Sequence, residues 1–332
     1  MHFSDADSHV GTDRDPSVTE KGCSRAAPTT DDVAGRYRGT CHLCDYCDGC
    51  ACPGLIPGMG GAGSNRAFCA NVRALAMFPE PEMVFERAEF FGFPVAGPFF
   101  PAPVTGAEEN FGGYLSNYEY AFMVGKAAKD CGVICFFGDG FEDEKFLSGI
   151  HAAIQLGIRA CFIIKPWADH EKIMLRIMVA ERSGALAVGC DVDSVSLPTM
   201  TRKNASMSKK TPSDLAAMIR MTKLPFIVKG IMTDVQADQA ITAGAAGIVV
   251  SNHGGRVDDD LPAVIDVLPG IAERFGKKTV IIADGGVRDN AGYRRMLSAG
   301  AHFVMAGRPM VHGAMLRGSA GVAERIRMIC NR

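Results

Sequence analysis

The feature that most constrains this 332-residue chain is an alternation that begins near residue 95. Short apolar runs ending in Gly, Asp or Lys alternate with longer amphipathic stretches, and the runs fall at 98–103, 132–138, 159–165, 185–193, 224–230, 247–252, 279–286 and 302–308. Near-continuous apolar runs of this length read as strands buried on both faces, and the stretches between them read as covering helices. One helix is expected over 213–222, after the start signal Thr-Pro-Ser-Asp, and another over 237–243, stopped by Gly244. Eight such units in about 215 residues are what a closed (β/α)8 barrel requires, an α/β fold of the TIM-barrel type. An open doubly wound sheet is the alternative.

The remainder divides by composition. Residues 1–36 are rich in Asp, Ser, Thr and Gly with few large apolar side chains, and so read as a disordered tail. Residues 37–94 read as a Cys-rich and helical extension with a helix over 65–77, and 95–332 as the barrel. At 47% hydrophobic the chain can fill a large core, yet none of its apolar runs approaches the roughly 20 residues that a bilayer-spanning helix needs. The formal charge of −2 gives no global basic field, which argues against nucleic acid or an acidic membrane face and for a small-molecule partner. The first residues carry neither a basic region nor an apolar stretch of signal-peptide type, so a cytoplasmic location is expected.

Polar residues recur where the apolar runs end: Asp139, Lys165, Asp191 with Asp193, Lys229, His253 with Arg256, Asp284 and Arg308. In a barrel these ends share one rim, where βα loops build the active site. Charges there are costly to desolvate unless paired or bound to a ligand, so their recurrence points to a polar cofactor and substrate. Asp284-Gly-Gly-Val-Arg288 and Gly307-Arg308-Pro309 end the seventh and eighth runs. Glycine there permits close backbone approach and arginine adds bidentate charge, a pattern suited to phosphate.

The strings Ser251-Asn-His-Gly-Gly-Arg256, Leu224-Pro-Phe-Ile-Val-Lys-Gly-Ile231, Asp284-Gly-Gly-Val-Arg288 and Gly307-Arg-Pro309 closely resemble the FMN-dependent α-hydroxy acid oxidase and dehydrogenase family. The likeness is strongest over 224–312, weaker over 95–193, and extends to Gly61-Ala-Gly with Asn71. It implies oxidation of a small L-2-hydroxy acid to a 2-oxo acid, an external electron acceptor and homo-oligomeric assembly. His253 would be the catalytic base, oriented by Asp193. Arg256 would clamp the substrate carboxylate, and Lys229 would stabilise the flavin. Ala102, Pro103, Val104 and Thr105 would run along the flavin, with Asp191 and Ser251 nearby; Asp284, Gly286, Arg288, Gly307 and Arg308 would hold ribityl and phosphate. Histidine suits a base near neutral pH, since its ordinary pKa is about 6.5.

The chain also departs from the family. The tyrosine expected before Gly-Ala-Gly is absent around Pro57, Gly58 and Met59, and a Gln-x-Tyr pattern is replaced by Ile163-Ile164-Lys165. Lys165 is therefore expected to bind substrate in place of the second tyrosine. A longer loop with a further arginine is replaced by the short segment 194–210. Two other readings stay open: an FMN-dependent isomerase of a phosphorylated substrate, and a non-catalytic flavin or metal redox sensor. Finally, Cys41, Cys44, Cys47, Cys50 and Cys52 crowd into twelve residues, a spacing that favours metal over disulfides. Cys41, Cys44, Cys47 and Cys52 are the expected ligands of a [4Fe–4S] cluster, with structural zinc as the competitor.

Overall fold

Each of the eight apolar runs becomes one strand of a single parallel sheet. The computed structural model describes residues 63–81, 88–110, 115–258 and 260–331, so the tail over 1–36 and the cysteine cluster lie outside the described residues. In chain order the strands are β1 (Ala88–Phe90), β2 (Phe93–Val95), β3 (Phe99–Pro101), β4 (Phe136–Gly138), β5 (Cys161–Ile164), β6 (Ala187–Asp191), β7 (Phe226–Ile231), β8 (Gly247–Ser251), β9 (Val280–Asp284) and β10 (Phe303–Ala306). Parallel ladders run in spatial order from β4 through β10 and then to β3. The sheet thus curls into a nearly closed (β/α)8 barrel. Every residue of β5, β6, β7 and β8 is buried, as continuous apolar runs demand when one face fills the barrel and the other meets helices.

No ladder joins β3 to β4. There the backbones approach directly: a Cβ on Gly138 would lie 2.6 Å from the carbonyl oxygen of Pro103, so only glycine fits at that seam. The helices start on conventional signals. Thr211 and Asp214 form a capping box for the helix Pro212–Arg220, and Thr233 with Gln236 does the same for Asp234–Thr242. That second cap places the start three residues before the 237–243 estimate. The helix expected over 65–77 spans Gly63–Met77. Among the described residues, no helix is long and apolar enough to cross a membrane.

The amino-terminal end of the barrel is closed by the β1–β2 hairpin, a device the helical reading of 37–94 did not contain. Its turn, Phe91-Gly92, has positive φ at both residues (49° and 78°), the geometry that matches the twist of paired strands. Fully buried Phe90 then inserts among Phe100, Phe303 and Phe136, with ring centroids 4.8, 4.9 and 6.0 Å away. Phe90→Ala is therefore expected to cost about 3–5 kcal/mol of unfolding free energy, read as a lowered urea midpoint with little change in slope.

Candidate active site

The sheet register sets the site's first contacts. Asp191, the last residue of β6, is the ladder partner of Lys229 on β7, and Ser251 on β8 is the partner of Asp284 on β9. Asp191 lies 3.0 Å from Lys229 Nζ through Oδ1 and 2.7 Å from Lys165 Nζ through Oδ2, so one buried carboxylate bridges two buried ammonium groups. Lys165 is held from its other side as well, since its backbone N–H donates to Asp139 Oδ2 at 3.2 Å. Asp139 also accepts from the Trp167 indole at 2.7 Å and from Arg176 Nε at 3.1 Å.

After β8 the chain turns sharply through His253, Gly254 and Gly255, whose φ values are all positive (55°, 63° and 76°). For histidine this conformation is strained, and it persists only because its surroundings dictate it. His253 donates its backbone N–H to Ser251 Oγ at 3.2 Å, and Gly254 donates to Asn252 Oδ1 at 3.1 Å. Asn252 in turn exchanges amide hydrogen bonds with Asn71 of the helix Gly63–Met77, at 2.9 and 3.1 Å, and both residues are buried. Asn71 Oδ1 also accepts from Val264 N–H at 2.9 Å, so the helix is clasped to the turn that carries the imidazole.

His253 Nδ1 lies 3.2 Å from both Asp193 oxygens. A carboxylate only accepts, so Nδ1 carries the proton and Nε2 keeps its lone pair. Asp193 reaches this position across Gly230, where φ is +96° and a Cβ would lie 2.5 Å from Asp193 Cγ.

Electrostatics follow from burial and these contacts. Burial lowers the His253 pKa; Asp191 and Asp193 pull it upward, Lys229 pushes it further down, and the result lies below the ordinary value. Burial disfavours the Lys229 ammonium, but Asp191, Asp193 and Asp284 more than compensate and keep it protonated. Burial likewise opposes ionisation of Asp191, and His253, Lys165 and Lys229 overcome it. Burial brings the Arg256 guanidinium down to about 10, still charged at neutral pH. Among the described residues Arg256 has no carboxylate partner, and its buried Nε makes no hydrogen bond.

Two cavities meet at His253 and Arg256, which line both along with Pro103 and Asn110. The larger, of about 1010 Å³ including its open mouth, is lined by Phe68, Ala102, Val104, Asp191, Lys229, Asp284, Gly286, Gly307 and Arg308 among others. The smaller contains Thr105, Lys145, Lys165, Thr199, Met200 and Lys203. Of the residues singled out in the sequence, Ser251 stands behind the wall, bonded to Asp284 at 3.3 Å. Arg288 is half-buried and follows Val287 of the larger cavity's lining without being part of that lining itself. Phe68, whose ring Arg308 overlies at 3.6 Å, had no periodic or motif signal pointing to it, and although Asn71 and Asn252 lay in the quoted motifs, nothing in the sequence pointed to their pairing. Asn110, whose buried Oδ1 lacks a hydrogen-bond partner, had no such signal either.

Known proteins share this chain's fold and part of its sequence. Residues 199–331 match the family model of the FMN-dependent dehydrogenases. The chain is 43% identical over 144 residues to an L-lactate oxidase of Lactobacillus jensenii, covering 43% of this chain and 35% of that protein. It is 28% identical over 319 residues to a peroxisomal (S)-2-hydroxyacid oxidase of Arabidopsis thaliana, covering 82% and 84%. A mandelate oxidase structure superimposes with a TM-score of 0.68 at 25% identity, over 83% of this chain and 85% of the other; one of its variants was solved with a monooxide FMN adduct. The matched stretch spans about a third of the length of the lactate oxidase and of mouse 2-hydroxyacid oxidase 1. The structure is thus a (β/α)8 barrel with an imidazole and a guanidinium on its carboxyl rim. In sequence and fold it is similar to the FMN-dependent α-hydroxy acid oxidases and dehydrogenases.

Asp191→Asn would leave Lys165 and Lys229 buried without their shared carboxylate. The expected loss is about 3–5 kcal/mol of stability, measured by urea unfolding at pH 7.

Proposed function

We propose that the chain oxidises a small L-2-hydroxy acid to the 2-oxo acid with bound FMN. The observation that carries this reading is the pairing, at the junction of the two cavities, of a neutral imidazole and a desolvated guanidinium that lacks a carboxylate. A half-buried guanidinium with a buried, unbonded Nε is costly in isolation, and a substrate carboxylate satisfies it bidentately. FMN fits the larger cavity by its donor set: Lys229 for the electron-rich ring, Asp284 for ribityl hydroxyls, and Arg308 with the backbone at Gly307 for phosphate. Ala102, Pro103 and Val104 give an apolar wall for the ring, and Gly286 lines the same cavity.

When bound, FMN supplies the acceptor for two electrons, taken as a hydride from the substrate α-carbon. The chain's own residues do the rest. Arg256 fixes the carboxylate and thereby aims the hydroxyl toward His253. His253 Nε2 takes the hydroxyl proton, and Asp193, 3.2 Å from Nδ1, stabilises the imidazolium that forms. Lys165, tied to Asp191, contributes positive charge to the substrate side.

The test is anaerobic mixing of the holoprotein with a panel of 2-hydroxy acids while the visible flavin band is monitored. Bleaching by one of them is expected. His253→Gln should slow bleaching by at least about a hundredfold with FMN still bound. Retained FMN with no bleaching by any hydroxy acid would instead favour isomerase or sensor chemistry.

The depressed His253 pKa also sets a pH dependence. Only the neutral ring can accept the proton, so the bleaching rate should rise with pH below 6.5 and be flat from there to neutrality. A stopped-flow pH profile with an inflection above 7 would contradict it.

We further infer that Cys41, Cys44, Cys47 and Cys52 bind a metal, a [4Fe–4S] cluster by spacing, that passes flavin electrons to an external acceptor. Anaerobically purified full-length protein should contain iron and acid-labile sulfide in nearly equal amounts. Zinc alone, or no metal, would overturn this inference.

A further inference from the structure

Asp191 is one carboxylate with three basic neighbours. Its Oδ2 lies 2.7 Å from Lys165 Nζ, while its Oδ1 lies 3.0 Å from Lys229 Nζ and 3.7 Å from His253 Nδ1. Asp193 brings a second carboxylate to 3.2 Å from the same Nδ1. The Lys165, Asp191 and Lys229 side chains are 8%, 6% and 4% exposed, so solvent ions screen these contacts little. Two carboxylates beside an imidazole favour its protonated form, and a ring that already carries the proton cannot act as a base. Lys229 offsets one of those negative charges. Lys165 is placed to offset the other.

The remaining charges around the ring come from several elements. Arg256 stands on the same turn, and Arg308 Nη1 lies 2.7 Å from where a Cβ on Gly254 would sit. Both guanidinium groups line the larger cavity, where the oxidase reading gives each an anionic ligand. Asp284 at the end of β9 is a further negative charge that interacts with His253. Lys145 and Lys203 line the smaller cavity and both pair with Glu142. Among the described side chains of the helix Gly63–Met77, the charged one, Arg73, is exposed. Lys165 differs from all of these in being bonded to the carboxylate that faces the imidazole. It is also fixed there, because Asp139 accepts its backbone N–H and is itself held by the Trp167 indole and Arg176.

We propose that Lys165 is a positioning residue for the base: by occupying Asp191 Oδ2 it keeps that carboxylate from drawing a proton onto His253. Lys165 stands in the place of a tyrosine in the family pattern, and a neutral phenol could not do this. The ring's pKa lies below its ordinary value in spite of the two carboxylates, which agrees in direction.

The use made of His253 rests on the oxidase reading, but the ionisation of the ring can be read without turnover. In substrate-free holoprotein carrying 15N-labelled histidine, the imidazole signals lost in His253→Gln identify the ring, and their pH titration gives its midpoint. The wild-type midpoint is expected below 6.5. Lys165→Met should raise it by about one pH unit, the effect of removing a unit charge near a buried ring. Lys165→Gln, which keeps a polar contact to Asp191 without the charge, should raise it as far, and Lys165→Arg should leave it close to wild type. The inflection of the flavin-bleaching profile should move with the midpoint. An unshifted or lowered midpoint in either neutral variant that folds, or an equal rise in Lys165→Arg, overturns the inference. The expected midpoints without bleaching by any hydroxy acid would sink the oxidase reading while leaving the control of His253 by Lys165 standing.

Discussion

The site is organised around a carboxylate taken out of water between two ammonium groups. Bringing Asp191, Lys165 and Lys229 into the barrel costs several kcal/mol of solvation per ion, and their mutual attraction recovers it only with close geometry. The register of β6 on β7 supplies that geometry for Lys229, and the Asp139 hydrogen bond to the Lys165 backbone supplies it for Lys165. The result is a fixed charge distribution on the cavity floor. Such preorganised charge needs no rearrangement when an anionic ligand arrives, which is the condition under which electrostatics contributes most to binding and catalysis.

A second constraint acts through neutral groups. The His253 turn is strained along its backbone, and the buried Asn71–Asn252 pair holds it. Each amide both donates and accepts, and Asn71 Oδ1 and Asn252 Oδ1 take further backbone N–H groups from Val264 and Gly254. A helix that precedes the barrel in sequence therefore fixes the orientation of its imidazole. Arg308 reaches the same helix by overlying Phe68, so the helix touches both the base and the candidate phosphate end.

Much of this was legible in the chain. All eight barrel strands fall on the eight apolar runs, with β7 running one residue past its run to Ile231, because parallel strands buried on both faces need uninterrupted hydrophobic residues, and the rim charges mark where those runs stop. The Ser251–Arg256 string carried the imidazole and guanidinium with it. Three things were not legible. The β1–β2 hairpin is two three-residue strands around Phe91-Gly92, too short to show a period. The partners of Asp191 depend on ladder register, and its second lysine lies two strands from the first. Asn110 and Lys145 sit within helices, where spacing alone does not say which face meets a cavity.

The unladdered seam beside β3 bears on how the molecule is made. Among the described residues β3 finds its only ladder on β10, with Phe99 opposite Val304, roughly two hundred residues later in the chain. On a ribosome the first barrel strand thus emerges long before its mate, and its edge stays unsatisfied until β10 has been made. Closing so long a loop adds only slowly to the entropic cost, but it delays the event. The order of assembly is then vectorial, with β4 to β9 laid down as an open curved sheet and the last strand drawing the first into the circle.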